Sequence, residues 1–534
     1  MFIRVTRNAA GQAYYHLVES YRIEGKVKQR TLLSLGRVEN GKLEALADAI
    51  SQHTDLLSAT ELAKNVSIEE TYILGPLLVL RGLFASLGID KALERVQLDH
   101  KQLGFSLREA VFQMAAARFV RPCSKLAIYE QLLQVPYPEF VRQQLELQHL
   151  YRALDVLQNA KDQIETDLFV HGRDLFSRQV NVVLYDLTTL RFESTRETER
   201  LRRFGFSKER RSDCTQVVLG LTVDSEGIPL GFEVFPGNTV ETKTLSTIIQ
   251  KIRSKLSVRR FIFVADRGII SKANLAVIKA SGGQFIVGMR IGALDRKRPE
   301  LFDRSRFTKV AEGLEILETT FGEDRGIVTW SQERAQRDQK TRTDILEKIR
   351  KKLAAKSVSA KTFVSNSNYR FFLKGLGRGQ KPELDSDKIA QAEKKDGFFA
   401  LVTNVPDKTP SEVFAQYKEL WRIEDTFGEL KGTLKARPVF HWTDHRIVGH
   451  LTLCFLALLC EAHITRALRA ARDSYVGRGV KAGIIKPRQL SAATALRELG
   501  EIRAVPVNIG TEILWVRTDI NGHAAKLFQT LGLR

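Results

Sequence analysis

From Phe2 to Arg37 apolar and polar residues alternate, with turn signals at Asn8-Ala9-Ala10-Gly11 and Glu24-Gly25-Lys26. A period of two predicts strands, here a three-stranded meander. From about Glu61 to Leu175 the apolar positions recur at helical spacing, punctuated by Gly75-Pro76, Gly88 and Arg121-Pro122, and Ser106-Leu107-Arg108-Glu109 reads as a helix start. The pattern then changes again. A short apolar run, Asn181–Leu184, ends in Tyr185-Asp186, and the runs Gln216–Asp224 and Leu230–Phe235 flank a turn at Ser225–Pro229, which predicts a hairpin. A helical stretch near Thr242–Leu256, a strand Arg260–Ala265, a helix near Lys272–Ala280 and a strand Gln284–Met289 complete the order βββαβαβ.

Residues 291–395 interrupt this regularity with many charges and scattered apolar positions, until Gly397–Thr403 restores a strand and Ser411 begins a helix. An insertion inside a mixed α/β core accounts for that pattern. The apolar run Leu451–Cys460, bounded by His450 and Glu461, is about half the ~20 residues a membrane-spanning helix needs, and reads as a buried core helix. After Arg472 short signals such as Ile513–Val516 suggest a small appendage. The expected division is therefore a meander and linker (1–60), a helical and possibly DNA-binding domain (61–175), a first core part (176–290), the insertion (291–395), a second core part (396–472) and the C-terminal appendage (473–534).

With 534 residues, several domains are expected, and 43% hydrophobic residues exclude a mainly disordered chain. The formal net charge of +21 points to a polyanionic partner, most often nucleic acid; charge alone leaves ribosomal and membrane-surface roles open. Cys123, Cys214, Cys454 and Cys460 form no Cys-x-x-Cys pair, so a reducing compartment is the default. Met1–Val5 shows no signal-peptide pattern. These points lead to a cytoplasmic protein with no membrane partner.

Asp186 and Asp266 each follow a predicted buried strand, the place where α/β sheets put reactive groups, although either alone fits a turn or helix cap equally well. In the segment Tyr417–Lys431 the residues Leu420, Ile423, Phe427, Leu430 and Leu434 form an apolar stripe at 3.6 residues per turn. Tyr417, Glu424 and Lys431 then share one row along its flank, with Trp421 beside them. On an ordinary amphipathic helix Glu424 and Lys431 would be solvated charges. Together, two strand-end aspartates and a helix-flank glutamate could supply the hard oxygen ligands that Mg²⁺ prefers. Two such ions can activate a water or 3′-hydroxyl and stabilise the leaving oxygen of a phosphodiester.

The blocks Tyr185–Leu190, Val264–Gly268 and Tyr417–Lys431 resemble the three catalytic blocks of bacterial insertion-sequence DDE transposases. The branch is the one with a Tyr-x2-Arg-x3-Glu-x6-Lys signature and a β-rich insertion before the Glu. Pro236-Gly237-Asn238, Asp396–Leu401, Thr403-Asn404 and, more loosely, the meander with Ser34-Leu35-Gly36-Arg37 are similar to it as well. The resemblance implies a ribonuclease H-like mixed-sheet core, with Asp186, Asp266 and Glu424 binding Mg²⁺, or Mn²⁺ in its place. It also implies that Tyr417 and Lys431 contact phosphates of the DNA ends. Leu420 stands where the signature has Arg, and Arg422 offers a charge only from another face. Trp421 fits either stacking on an extruded base or core packing.

The segment Arg202, Arg203, Lys208, Arg210 and Arg211, interleaved with Phe204 and Phe206, fits a phosphate grip or a solvated loop. His441, His445 and His450 lack a convincing ligand spacing with the cysteines, which argues against structural zinc. Lys374–Gly379 reads as a flexible turn rather than a phosphate loop. The expected function is a transposase that binds element ends and target DNA as a homodimer, cuts the ends and joins the 3′-hydroxyl to the target. The alternatives are a DNA-binding regulator without chemistry and a metal-dependent nuclease without strand joining.

Overall fold

A computed structural model describes the chain apart from residues 1, 24–25, 37–65, 68–70, 133–144, 177–181, 208–210, 257–260, 269–270, 293, 355–362, 364–365, 378–379, 472–490, 510–511, 521 and 533–534. The N-terminal alternation forms the expected antiparallel meander of β1 (Phe2–Arg7), β2 (Ala13–Ile23) and β3 (Lys26–Gly36). Its first turn closes because Asn8 Oδ1 accepts the N–H groups of Ala10 and Gln12, both at 3.0 Å. The second turn signal, at Glu24-Gly25, lies outside the described residues.

The helical region opens with two short strands absent from the sequence reading, β4 (Val66–Ser67) and β5 (Tyr72–Ile73). Gly75-Pro76 punctuates the chain as expected: it follows β5 and starts the helix Gly75–Ser86, where proline's missing N–H costs nothing. The expected cap at Ser106 is present, its Oγ accepting from Glu109 N at 3.2 Å to start Leu107–Val120.

The core sheet has nine strands. In chain order these are β6 (Val182–Arg191), β7 (Gln216–Asp224), β8 (Pro229–Pro236), β9 (Ile262–Ala265), β10 (Gln284–Met289), β11 (Thr308–Ala311), β12 (Leu314–Phe321), β13 (Asp324–Ser331) and β16 (Phe398–Thr403), the small pair β14 (Leu373–Lys374) and β15 (Glu383–Leu384) lying apart. In space they run β11-β12-β13-β16-β10-β9-β6-β7-β8. Within this sheet β6, β9 and β10 are parallel, while β7 and β8 form the antiparallel hairpin on β6. That half of the sheet has the ribonuclease H-like order. One boundary is corrected: β6 does not end before Asp186 but continues to Arg191, because the β-branched Thr188 and Thr189 are buried in the sheet with Leu187 and Leu190.

The insertion is not a separate sheet. β13 pairs with β16, so β11 to β13 extend the core. The second half of the insertion is helical, chiefly Gln332–Leu353 and Ser386–Glu393. Arg342, buried within Gln332–Leu353, pairs with Asp396 at 2.5 Å. The next residue, Gly397, has φ +83° and comes so close that a Cβ would lie within 3 Å of Trp330, Ala335 and the Ser331 carbonyl. The Asp-Gly pair thus clamps the insertion helix to the start of β16.

The C-terminal segment is no appendage. β17 (Arg503–Ile509) and β18 (Glu512–Arg517) form a hairpin, and β17 also pairs with β4 and β5. The Ile502 carbonyl accepts the N–H groups of Leu74 and Gly75. The helix Asp444–Ala470 runs well beyond the apolar stretch Leu451–Cys460. It is long and apolar enough to cross a membrane, yet 89% of its most apolar window is buried inside the protein, as a core helix. Polar groups are buried with it. Lys125 Nζ lies 3.3 Å from His450 Nδ1, and the His441 and His450 rings are 5.1 Å apart. Burial and the nearby Arg118 pull the Lys125 pKa down to about 7.

Candidate active site

Strand register sets the first two acids side by side. In the parallel ladder of β6 and β9, Tyr185 pairs with Ala265, so Asp186 and Asp266 come next, about one strand spacing (~4.8 Å) apart. Side chains alternate across a sheet, so the two acids share the face of Leu184 and Val264, and Tyr185 points to the other. There the Tyr185 hydroxyl donates to Thr244 Oγ1 at 2.9 Å, in space left by Gly220. β9 stops at Ala265, so Asp266 is exposed while Asp186, inside β6, is half-buried.

The third acid comes from a helix on the same face. Ile423, Phe427 and Leu430 of Trp421–Lys431 are buried in one core with Leu184 and Val264, which leaves Glu424 exposed at the border. The segment is not one continuous helix. Pro410–Lys418 ends before it, and at Glu419-Leu420 the bonding tightens, Leu420 N–H donating to the Tyr417 carbonyl and Arg422 N–H to that of Glu419. Tyr417 therefore does not share a row with Glu424 and Lys431. Leu434 is buried, but beyond the helix end.

Tyr417 reaches the second acid directly. Its hydroxyl donates to Asp266 Oδ1 at 3.0 Å, and the same oxygen accepts the Arg267 N–H at 2.7 Å. Burial first, then the Asp266 carboxylate, raise the Tyr417 pKa far above the usual phenol range, so it stays a donor. Gly288 on β10 makes room, since a Cβ there would be 2.6 Å from the Tyr417 hydroxyl.

Asp186, Asp266 and Glu424 line one cleft of about 360 Å³, together with Tyr417, Leu420 and Trp421. Its opposite wall comes from the insertion, through Ser331, Glu333, Arg334 and Arg337. Sequence reasoning missed these residues, because nothing in a charged run shows which residues follow a strand that joins the core sheet. Carboxylates are suitable donors for Mg²⁺, and among the described residues the bonds to Asp266 fall on one oxygen, leaving the other for a cation.

The other expected residues are spread more widely. Trp421 is 41% exposed at the cleft edge, its ring within 5.0 Å of the Arg422 and Arg469 guanidinium carbons. Lys431, seven residues after Glu424 and about 10 Å along the helix axis, does not line the cleft. Arg422 pairs with Glu419, also away from the cleft. Arg202 is corrected: it is 2% exposed, bonded to Thr215 and stacked on Phe192, so it braces its loop from within. Arg203 is half-buried and paired with Glu197 at 3.2 Å. Lys208 and Arg210 lie outside the described residues.

Among the described residues, the acids whose ligand atoms lie within 4.8 Å of one another are Asp162, Glu165 and Glu233. Lys161 sits among them, 3.0 Å from both glutamates, and Lys251 pairs with Glu233. Burial pulls the Lys161 ammonium down, but the acids outweigh it and raise its pKa. That cluster is a closed ion-pair network.

A ribonuclease H-like sheet with two acids on neighbouring strands and a third on a covering helix defines a class of nucleic-acid-processing proteins. The comparisons narrow the class. The family described as transposase DDE domain matches residues 178–460, and the IS1634 family transposase N-terminal domain matches residues 3–61. The chain belongs to the DDE transposases of bacterial insertion sequences. No curated protein matches it.

Proposed function

We propose that this transposase binds the ends of its insertion sequence, cuts them with two divalent ions held by Asp186, Asp266 and Glu424, and joins the 3′-hydroxyl to target DNA. The observation that carries the reading is the convergence of these three acids on one cleft from elements far apart in sequence. Bound there, the ions supply an activated nucleophile and a stabilised leaving oxygen. The chain's own part is to hold the carboxylates: strand register fixes the aspartates, the Tyr417 hydroxyl orients Asp266, and an apolar stripe seats the glutamate helix. Lys431, Trp421 and Arg203 are DNA contacts in this reading. The net charge of +21 serves to hold DNA, in a bacterial cell at the nucleoid. Two ends must be held together, and a homodimer is the simplest symmetric solution.

The test pairs gel-shift with cleavage and joining on the same end DNA in Mg²⁺. Asp186→Asn, Asp266→Asn and Glu424→Gln should each abolish cutting and joining while DNA binding survives, because each removes a negative charge facing the phosphates. Full cleavage by any of the three removes that residue from the site. Joint loss of fold and binding assigns the acids a structural role instead.

A further inference from the structure

The wall facing the glutamate helix is built by the insertion. β13 ends at Ser331, whose hydroxyl caps Gln332–Leu353, and the first two turns of that helix bring Arg334 and Arg337 into the cleft with the three acids. The two arginines differ. Arg337 is 70% exposed and pairs with Glu333 at 3.4 Å, a solvated contact. Arg334 is half-buried, its guanidinium carbon 4.7 Å from the centre of the Phe399 ring. Among the described residues its Nε makes no hydrogen bond but is ion-paired with the Asp338 carboxylate at 3.7 Å. Asp338 is itself fixed, accepting the Gly397 N–H at 3.1 Å. Phe399 packs on Tyr417 with ring centres 5.1 Å apart, and Tyr417 holds Asp266. A continuous stack thus leads from the Asp-Gly clamp through Arg334, Phe399 and Tyr417 to the second acid.

A guanidinium carries five donors in a rigid fork, and one stacked on an aromatic face still presents its edge to an anion. Across the cleft Leu420 contributes no charge. We propose that Arg334 is a phosphate-binding residue: its guanidinium takes a non-bridging oxygen of the DNA phosphodiester held over Asp186, Asp266 and Glu424, so that the insertion completes the cleft. This rests on the transposase reading of the same cleft.

The experiment compares wild type, Arg334→Ala, Arg334→Lys and, as an exposed control on the same helix outside the cleft lining, Lys340→Ala in single-turnover cleavage of end DNA. It uses normal DNA and DNA with one neutral methylphosphonate at each phosphate around the cleavage point in turn. Arg334→Ala should slow cleavage roughly tenfold to hundredfold, the range for a lost charge-assisted hydrogen bond. Arg334→Lys should recover part of that, Lys340→Ala should stay within about threefold, and all should melt with wild type. At the contacted phosphate the neutral linkage should slow wild type strongly and Arg334→Ala little. Equal rates for wild type and Arg334→Ala, or additive losses at every phosphate, overturn the assignment. Should wild type itself not cut, the transposase reading fails separately. Arg334 is then judged by binding alone, where Arg334→Ala must lower affinity for the same DNA and reduce its salt slope by about one; an unchanged slope overturns it.

Discussion

Asp266 shows how much of a candidate active site one hydroxyl can control. It sits where β9 leaves the sheet, and among the described residues the Arg267 N–H and the Tyr417 hydroxyl hold its carboxylate in place. Tyr417→Phe should therefore lower cleavage about tenfold, the effect of losing a hydrogen bond to a charged group, with end binding within about twofold of wild type. Single-turnover cleavage beside gel-shift measures both. Gly288→Ala should copy that phenotype without touching the tyrosine, because the new methyl group takes the hydroxyl's place. A Gly288→Ala protein with wild-type cleavage would show that the hydroxyl is not needed there. The three acids were legible in the sequence as residues at the ends or borders of apolar runs. The Tyr417–Asp266 bond was not: the 3₁₀-like turn at Glu419-Leu420 keeps helical backbone angles and leaves no mark in the apolar spacing.

At the scale of elements, β6, β7, β9 and β10 were readable because each is buried on both faces and appears as a nearly unbroken apolar run. β11 is the edge strand and β12 lies next to it; apart from buried Ile316 their side chains are exposed or half-exposed, so their polar composition hid them. The role of Asp396-Gly397 also needed the fold, since its partner Arg342 lies more than fifty residues earlier. Gly397→Ala tests the clamp. A Cβ there meets Trp330 and the Ser331 backbone at a positive φ, so the substitution should cost about 1–3 kcal/mol and loosen the first turn of Gln332–Leu353. Thermal unfolding reads the first effect, and hydrogen exchange at residues 332–338 reads the second. Unchanged exchange would detach the Asp-Gly pair from the insertion.

Over the whole molecule, one core joins the helical region to the catalytic sheet through Asp444–Ala470, and Lys125 is buried inside it. Its folded pKa of about 7 lies below the value near 10.4 of an unfolded lysine. Between those limits the unfolded chain holds the extra proton, so stability rises with pH, and the penalty of burying the ammonium is full below about pH 7. Lys125→Met should remove that dependence. Its stability gain over wild type should shrink by about 2–3 kcal/mol between pH 6 and pH 9, measured by urea unfolding. Parallel curves would mean that Lys125 keeps its proton throughout. The pairing of β17 with β4 and β5 has a further consequence, for synthesis. The segment near residue 70 leaves the ribosome more than four hundred residues before the hairpin that completes it. At bacterial translation speeds that is a wait of tens of seconds. During that time the nascent helical region lacks its closing sheet, so the finished fold, and any DNA cutting that depends on it, comes only after translation reaches the hairpin.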